Sequence, residues 1–454
     1  MGIRLDWQVE AEQSHIHTER EDPTLKWARR RARYRLLGFV VVVLFFIALG
    51  ISFIAYRLDT VNKAIERNLR QTVEAEMAAL RFGDLNTFLA LQHHDNPAWV
   101  AEQQDTFDTY QTLKVEYDVQ LTGNVLQVYI EGNRARVHVE EIIDGVPYTR
   151  LWFYWRFEDG WLHVPTDYTF WGDLRTYEGT YITVRYRGVD DPLAVAVGLK
   201  SEKWIQNACN TLACPEEMPH ITIDILPTGV SDIQWAEGNM WQMLIPSPYA
   251  ERARSDRPFD TEMQVAVATL LAERITSIIS NELSPVYPTD SYYLRAAVVS
   301  WLVGQFVEIN TNSFLIASLA QNYGEDKVGL LLRSLTPTSE VSIFSNILDN
   351  RPLNELTLDW RDLLTWRLAT EDELIRRDDL NAYLSLYDTN DDAAINAAYT
   401  HYAEGPSPEP RVIVAVTPEV GEDGQAYLRA IAVQGQMQNE IRFRLVNNVW
   451  KRVE

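Results

Sequence analysis

Cysteine is nearly absent: the 454 residues contain two, Cys209 and Cys214. Fold stability therefore does not rest on a dense disulfide framework, and a chain of this length can bury its own cores. The segment Cys-Asn-Thr-Leu-Ala-Cys permits a small disulfide-closed loop. Two free thiols and a metal pair are the alternatives, the latter short of ligands because His220 is the only further donor nearby. Histidine is also sparse. The eight are His15, His17, His93, His94, His138, His163, His220 and His401, and no two are four residues apart, so no helix can present an i, i+4 imidazole pair to a metal. Gly-x-Ser-x-Gly, a Walker loop and Gly-x-Gly-x-x-Gly are missing as well, which removes the usual signatures of a serine hydrolase, a P-loop nucleotidase and a dinucleotide enzyme. Basic charge is in deficit: 41 Lys and Arg face 64 Asp and Glu, a formal net charge of -23. Such a surface repels phosphate backbones, so nucleic acid is not an expected partner.

What the chain does have is one long uncharged run. Residues 36–56 contain no ionisable Asp, Glu, Lys, Arg or His. At ~1.5 Å per residue a helix of that length matches the ~30 Å hydrocarbon core of a bilayer. Lys26, Arg29, Arg30, Arg31, Arg33 and Arg35 crowd its N-terminal side, whereas Arg57, Lys63 and Arg67 beyond it are diluted by Asp59 and Glu66. The positive-inside rule then predicts a single-pass protein of the cytoplasmic membrane, with residues 1–35 as a cytosolic basic tail and the rest extracytoplasmic. The run is longer than a signal-peptide core and no A-x-A site follows it. The first 35 residues carry eight basic and six acidic side chains, so the remainder sums to -23 - 2 = -25. With 11% aromatic residues, 14 of them Trp, and only 23% charged, the ectodomain reads as folded domains rather than a disordered stalk.

Beyond the membrane run, Leu58, Val61, Ile65, Leu69, Val73, Met77 and Leu80 recur every three or four residues, predicting one long amphipathic helix. Gly83 and Asp84 supply a stop and a new N-cap, followed by a short helix and another through about Lys114. The period then changes to two, in residues 115–121, 125–130, 134–140 and 148–157, with turns at Gly132-Asn133, Asp144-Gly145 and Asp159-Gly160. Helices followed by an antiparallel meander predict an α+β, helix-on-sheet domain. The pattern returns at the C-terminus: residues 80–91 align with 375–386, and 153–161 with 442–450, which predicts two related modules flanking a different middle.

The strands ending in Phe157-Glu-Asp-Gly-Trp-Leu-His-Val164, after helices joined by a Gly-Asp-Leu turn, resemble the nuclear transport factor 2-like (SnoaL-like) fold. That resemblance implies cone-shaped modules at residues 57–174 and, in shorter form, 369–454.

Residues 175–368 resemble the peptidase MA-like (gluzincin) superfamily. Short strands lead into residues 267–279, where the zinc helix belongs. Ser300-Trp-Leu-Val-Gly-Gln-Phe306 stands at the third-ligand helix, and Tyr323-Gly-Glu-Asp-Lys-Val-Gly-Leu-Leu-Leu332 and Leu356-Thr-Leu-Asp-Trp-Arg361 follow in order. The resemblance implies a mixed α/β then helical domain. It also locates the ligand positions, which are Ala272, Thr276 and Gly304, with Glu273 at the base position. Ala and Gly offer no donor and a lone Thr hydroxyl is a poor zinc ligand. Glu273 is thus vestigial, expected to be solvated or in a salt bridge with Arg274 or Arg295, and no metal or other cofactor is expected.

His93-His94-Asp95 is read as polar surface. On the strand at 148–157, Leu151, Phe153, Trp155 and Phe157 are expected in the core. The opposite face, Tyr148, Arg150, Trp152, Tyr154 and Arg156, is expected at an interface, since aromatics alternating with Arg are enriched there. The expected function is extracytoplasmic binding or scaffolding by a catalytically dead peptidase-like domain, with a peptide added to an edge strand at 240–245. A small-molecule enzyme, isomerase- or hydrolase-like, using a pocket in the first module is the alternative, and a homodimer joined through the Trp152 face is a third reading.

Overall fold

The computed structural model describes residues 23–281 and 283–453. Residues 1–22 of the expected tail, with His15 and His17, lie outside the described residues. Among the described residues, twelve α-helices, the first of them with an apolar stretch, and three sheets make a mixed α and β architecture.

Helix α1 (Pro23–Phe82) is continuous for 60 residues, ~90 Å at the α-helical rise. Its stretch Arg33–Phe82 is long and apolar enough to cross a membrane, and none of the apolar window is buried against the rest of the chain. Packing begins only at Ile65: Leu69, Val73, Met77 and Leu80 are buried, whereas Leu58 and Val61, expected on the same stripe, are exposed. The contacts that α1 makes run to β2 and β5 and to the next two helices, all of which meet its C-terminal part.

Gly83, at φ +76°, ends α1, and the Asp84 carboxylate accepts the Thr87 amide at the start of α2 (Leu85–Ala90). Helix α3 (Pro97–Glu116) carries on through residues expected to be strand, so only β1 (Val119–Gln120) remains of the 115–121 alternation. A meander follows: β2 (Val125–Glu131), β3 (Arg134–Ile143), β4 (Val146–Phe157) and β5 (Gly160–Val164). Its turn at Asp144-Gly145 takes positive φ at both residues, 50° and 77°, as a two-residue hairpin requires.

A second sheet has the order β6-β7-β8-β10-β9, from β6 (Leu174–Glu178), β7 (Ile182–Arg187), β8 (Ile221–Leu226), β9 (Gln234–Ala236) and β10 (Asn239–Pro246). Parallel β7 and β8 are joined through α4 (Asp191–Leu212), whose buried face packs on them. Cys209 and Cys214 form a disulfide at the end of α4. The two-residue β11 (Ala253–Arg254) returns to pair with β4, so the middle of the chain supplies an edge to the first sheet. Helices α5 (Thr261–Ile279), α6 (Asp290–Val307), α7 (Phe314–Tyr323), α8 (Glu325–Ser334) and α9 (Ile343–Ile347) then pack into one core with that second sheet.

Helix α10 (Arg361–Arg376) crosses the boundary expected at 368/369 without a break. Its first half belongs to the helical core and its second half opens the C-terminal unit. That unit continues with α11 (Leu380–Leu384), α12 (Asp392–Glu404) and a meander of β12 (Val412–Val420), β13 (Ala426–Gln434), β14 (Met437–Val446) and β15 (Val449–Arg452). The boundary at 174/175 likewise falls inside a strand, β6.

The link from β7 into α4 buries Asp190, whose carboxylate accepts the Trp171 indole N–H at 2.9 Å and the Ser247 hydroxyl. Burial pushes its pKa up to about 6, against the lowering effect of these two donors. The folded carboxyl thus keeps its proton above the pH at which the unfolded chain releases it, near 4. Stability from this site falls as pH rises from about 4 to about 6 and stays lowered above that. Asp190→Asn is therefore expected to be more stable than the parent at pH 8, by up to about 2–3 kcal/mol, with the gain vanishing near pH 4. Urea melts across that range check it; a variant weakened at pH 8 and unchanged at pH 4 has the opposite sign.

Candidate functional site

Helix α5 starts at Asp260, which caps the Met263 amide, and buries a stripe formed by Val267, Ala268, Leu271, Ala272, Ile275, Thr276 and Ile279. Ala272 and Thr276, at the expected ligand positions, are both 0% exposed within this apolar stripe. The Thr276 hydroxyl donates to the Glu273 carbonyl of its own helix at 3.0 Å. Gly304 lies on α6, and a Cβ there would meet Thr311 Oγ1 at 2.9 Å and the Ile309 carbonyl at 3.1 Å, so the position faces the loop that follows its own helix. These residues do not fit a zinc ion: two of the three positions have no donor atom and the third hydroxyl is committed to the helix backbone. No group of three His, Cys, Asp or Glu side chains suited to a metal occurs among the described residues.

Glu273 projects from the exposed side of α5. Of the two expected states, solvated or salt-bridged, it takes the first, with neither Arg274 nor Arg295 paired to its carboxylate. Arg295 donates instead to the Leu283 carbonyl at 2.6 Å and to the Glu273 main-chain carbonyl at 3.4 Å. Arg274 lies over the rings of Trp235 and Trp241, at 5.0 and 5.3 Å, which closes the β9–β10 hairpin onto the helix. The expected edge strand is also covered: β10 pairs with β8 along Gln242–Pro246 and with β9 through Met243 and Leu244. The edges of this sheet are β6 and β9. Strand addition at 240–245 therefore has no open ladder to use.

On β4 both faces are buried through residues 151–154, the expected core face and the expected interface face alike. Trp152 and Tyr154 point inward, onto Leu69, Val73, Met77, Phe107 and Tyr110, and are 4% and 0% exposed. Neither can serve an intermolecular face. Leu151 and Phe153 are buried on the other side, in a separate cluster with Trp171, Val189, Tyr249 and Ala253. Trp155 and Phe157, expected in the core, are exposed, and His93 stacks on Phe157 at 5.0 Å. Of the remaining residues, Arg150 donates to the Tyr110 hydroxyl at 2.6 Å, Tyr148 lies beneath Arg252, and Arg156 is exposed near Asn133. His93 approaches Asp95 at 3.7 Å, while Asp95 stays in solvent.

The inward turn of β4 has a chemical reason. Glu76, on α1, is fully buried and accepts three hydrogen bonds: from Tyr154 Oη at 2.8 Å, Gln92 Nε2 at 2.8 Å and His163 Nδ1 at 2.7 Å. Burial, and next the Glu76 charge, raise the Tyr154 hydroxyl well above its ordinary value, so it stays a donor. His163 is packed between Trp99, Trp152 and Tyr154. A second buried carboxylate, Glu141, takes the Tyr110 hydroxyl and Arg252. Burial pushes Tyr110 up to about 12, partly offset by Arg150.

The C-terminal unit repeats this arrangement. Asp378 has positive φ and Asp379 caps the Ala382 amide, as Gly83 and Asp84 do in the first unit. The isolated bridge Gln92–His163 is matched by Tyr387–Arg452. Glu371, 1% exposed, lies where Glu76 lies and holds Arg452 at 2.6 Å and Arg411 at 3.3 Å. A carboxylate on the long helix tied to the closing strand is thus common to both units. It was legible: extending the 80–91 and 375–386 alignment four residues toward the N-terminus sets Glu76 on Glu371.

No family model matches this sequence, no curated protein matches it, and no solved structure matches its fold.

Proposed function

We propose that the chain is a membrane-anchored, extracytoplasmic binding or scaffolding protein. In this reading a peptidase MA-like frame without peptidase chemistry is held between two nuclear transport factor 2-like modules. The observation that carries it is the fate of the ligand positions, with Ala272 and Thr276 sealed in the core of α5 while Glu273 stands alone outside. A glutamate needs a metal-acidified water to act as a peptidase base, and among the described residues no group of side chains suited to holding the metal occurs. The anchor is supported by the unburied apolar stretch of α1 and by the basic cluster at its N-terminal end. The binding role is supported by the retention of a folded, tightly packed frame around a site whose catalytic donors are missing. The expected result is that the detergent-purified chain leaves fluorogenic peptides intact at neutral pH, and that Glu273→Gln is indistinguishable from the parent. Hydrolysis by the parent that Glu273→Gln abolishes overturns the proposal.

A small-molecule enzyme built on the first module is the second reading, favoured by the buried Glu76–His163 pair. Its weakness is that these groups satisfy one another, together with Gln92 and Tyr154, instead of presenting a free donor or base.

A further inference from the structure

Between the outer face of β2 and β3 and the segment 169–192 lies a cavity of about 700 Å³. Alternation along β3 puts Ala135, Val137 and Val139 in the core and turns Arg136 and His138 into this space. The Arg136 guanidinium is held in place by aromatic rings, 4.5 Å from the centre of Tyr129 and 5.4 Å from that of Phe170. It donates from Nη1 to the Phe170 carbonyl at 2.7 Å, and its Nε is buried without a partner. Arg187 reaches the same segment from β7, donating to the Gly172 carbonyl at 3.2 Å. Gly172 has φ +100°, and a Cβ there would meet Gly188 N at 3.0 Å and Arg136 Nη1 at 3.4 Å. The two guanidinium groups therefore converge on one bare stretch of backbone.

Neither arginine has a carboxylate within ion-pair distance among the described residues. A guanidinium that is partly desolvated and bonded only to neutral carbonyls is poorly compensated. Burial, the largest effect, holds the Arg136 pKa below its ordinary value. The other charges that line the cavity are mostly spent. Arg175 pairs with Asp191 at 3.2 Å and Glu131 with Arg134 at 3.1 Å, which leaves Arg136 and Arg187 opposed by Asp173 alone.

We propose that this cavity is a binding site for a small oxyanion, a carboxylate or phosphate group on a molecule whose apolar part rests on Tyr129, Phe170 and Tyr249. Guanidinium groups match both oxyanions with paired, charge-assisted hydrogen bonds. The site is separate from the peptidase-like positions, and the proposal does not depend on how those are read.

The test is thermal unfolding of the full chain in detergent with sodium phosphate, sodium citrate, or sodium chloride at matched ionic strength. Phosphate or citrate is expected to raise Tm in a saturable way that chloride does not reproduce. A response to phosphate alone assigns a phosphate ligand, and to citrate alone a carboxylate. Arg136→Gln and Arg187→Gln are each expected to raise the half-saturating concentration about ten-fold or more. Asp173→Asn, which removes the opposing charge, is expected to lower it. If Arg136→Gln does not fold, Arg187→Gln, only half-buried, carries the test. No saturable response to either anion, or one that both arginine variants retain in full, overturns the proposal.

Discussion

Glu76→Ala is expected to destabilise the chain by about 3–5 kcal/mol, the range found when a buried charged group is taken from its partners. The carboxylate is 0% exposed and receives Tyr154, Gln92 and His163, so its removal takes this acceptor from Tyr154 and His163 and leaves Gln92 only the Phe88 carbonyl. Glu76→Gln keeps an acceptor oxygen and should lose markedly less. Because Trp99 and Trp152 stand against His163, near-ultraviolet circular dichroism should report the loosening alongside a urea melt. A Glu76→Ala chain that melts like the parent would mean the first unit is not organised around this carboxylate.

Glu371→Ala tests the repeated unit, and the expected loss is again about 3–5 kcal/mol. The substitution removes the carboxylate that lies between Arg452 and Arg411, although Arg411 keeps Asp372 at 3.1 Å. A sharp control lies two residues on. Glu373 pairs with Arg376 and Arg377 on the exposed side of the same helix, and Glu373→Ala should cost far less than Glu371→Ala. Replacing Glu371 and Arg452 together by Met should cost less than Glu371→Ala, since no isolated charge is then left buried. Equal losses for Glu371→Ala and Glu373→Ala in urea melts would contradict the assigned roles.

The elements that could be read from sequence are those fixed by local chemistry. The capped turns at Asp84 and Asp379, the hairpin at Asp144-Gly145 and the alternation of β3 and β4 each rest on a few adjacent residues. Alternation defines two faces of a strand but not which one meets the core. On β4 both faces meet a core, and the inward place of Tyr154 rests on Glu76, 78 residues away in the chain, whose carboxylate accepts the tyrosine hydroxyl. Aromatics alternating with Arg on β4 therefore signal a polar core here rather than an outer interface. The edge at 240–245 was misjudged because β9 has only three residues, too few to show a period. The limit at 368/369 lies inside α10, which holds no Gly or Pro, so nothing local in the sequence showed that one helix spans it. Residues 272, 273, 276 and 304 fall on helices, as the periodicity indicated, whereas whether Glu273 stays solvated or pairs with an arginine is a matter of side-chain packing that spacing does not encode.

The most direct test of the central claim is the zinc content of the full chain, purified in detergent without chelator and then dialysed against micromolar zinc. With Ala272 and Gly304 offering no ligand atom and Thr276 bonded to its own helix, no stoichiometric zinc is expected, and Glu273→Gln should not change the value. One zinc per chain, lost on substitution of Thr276 or Glu273, would contradict it.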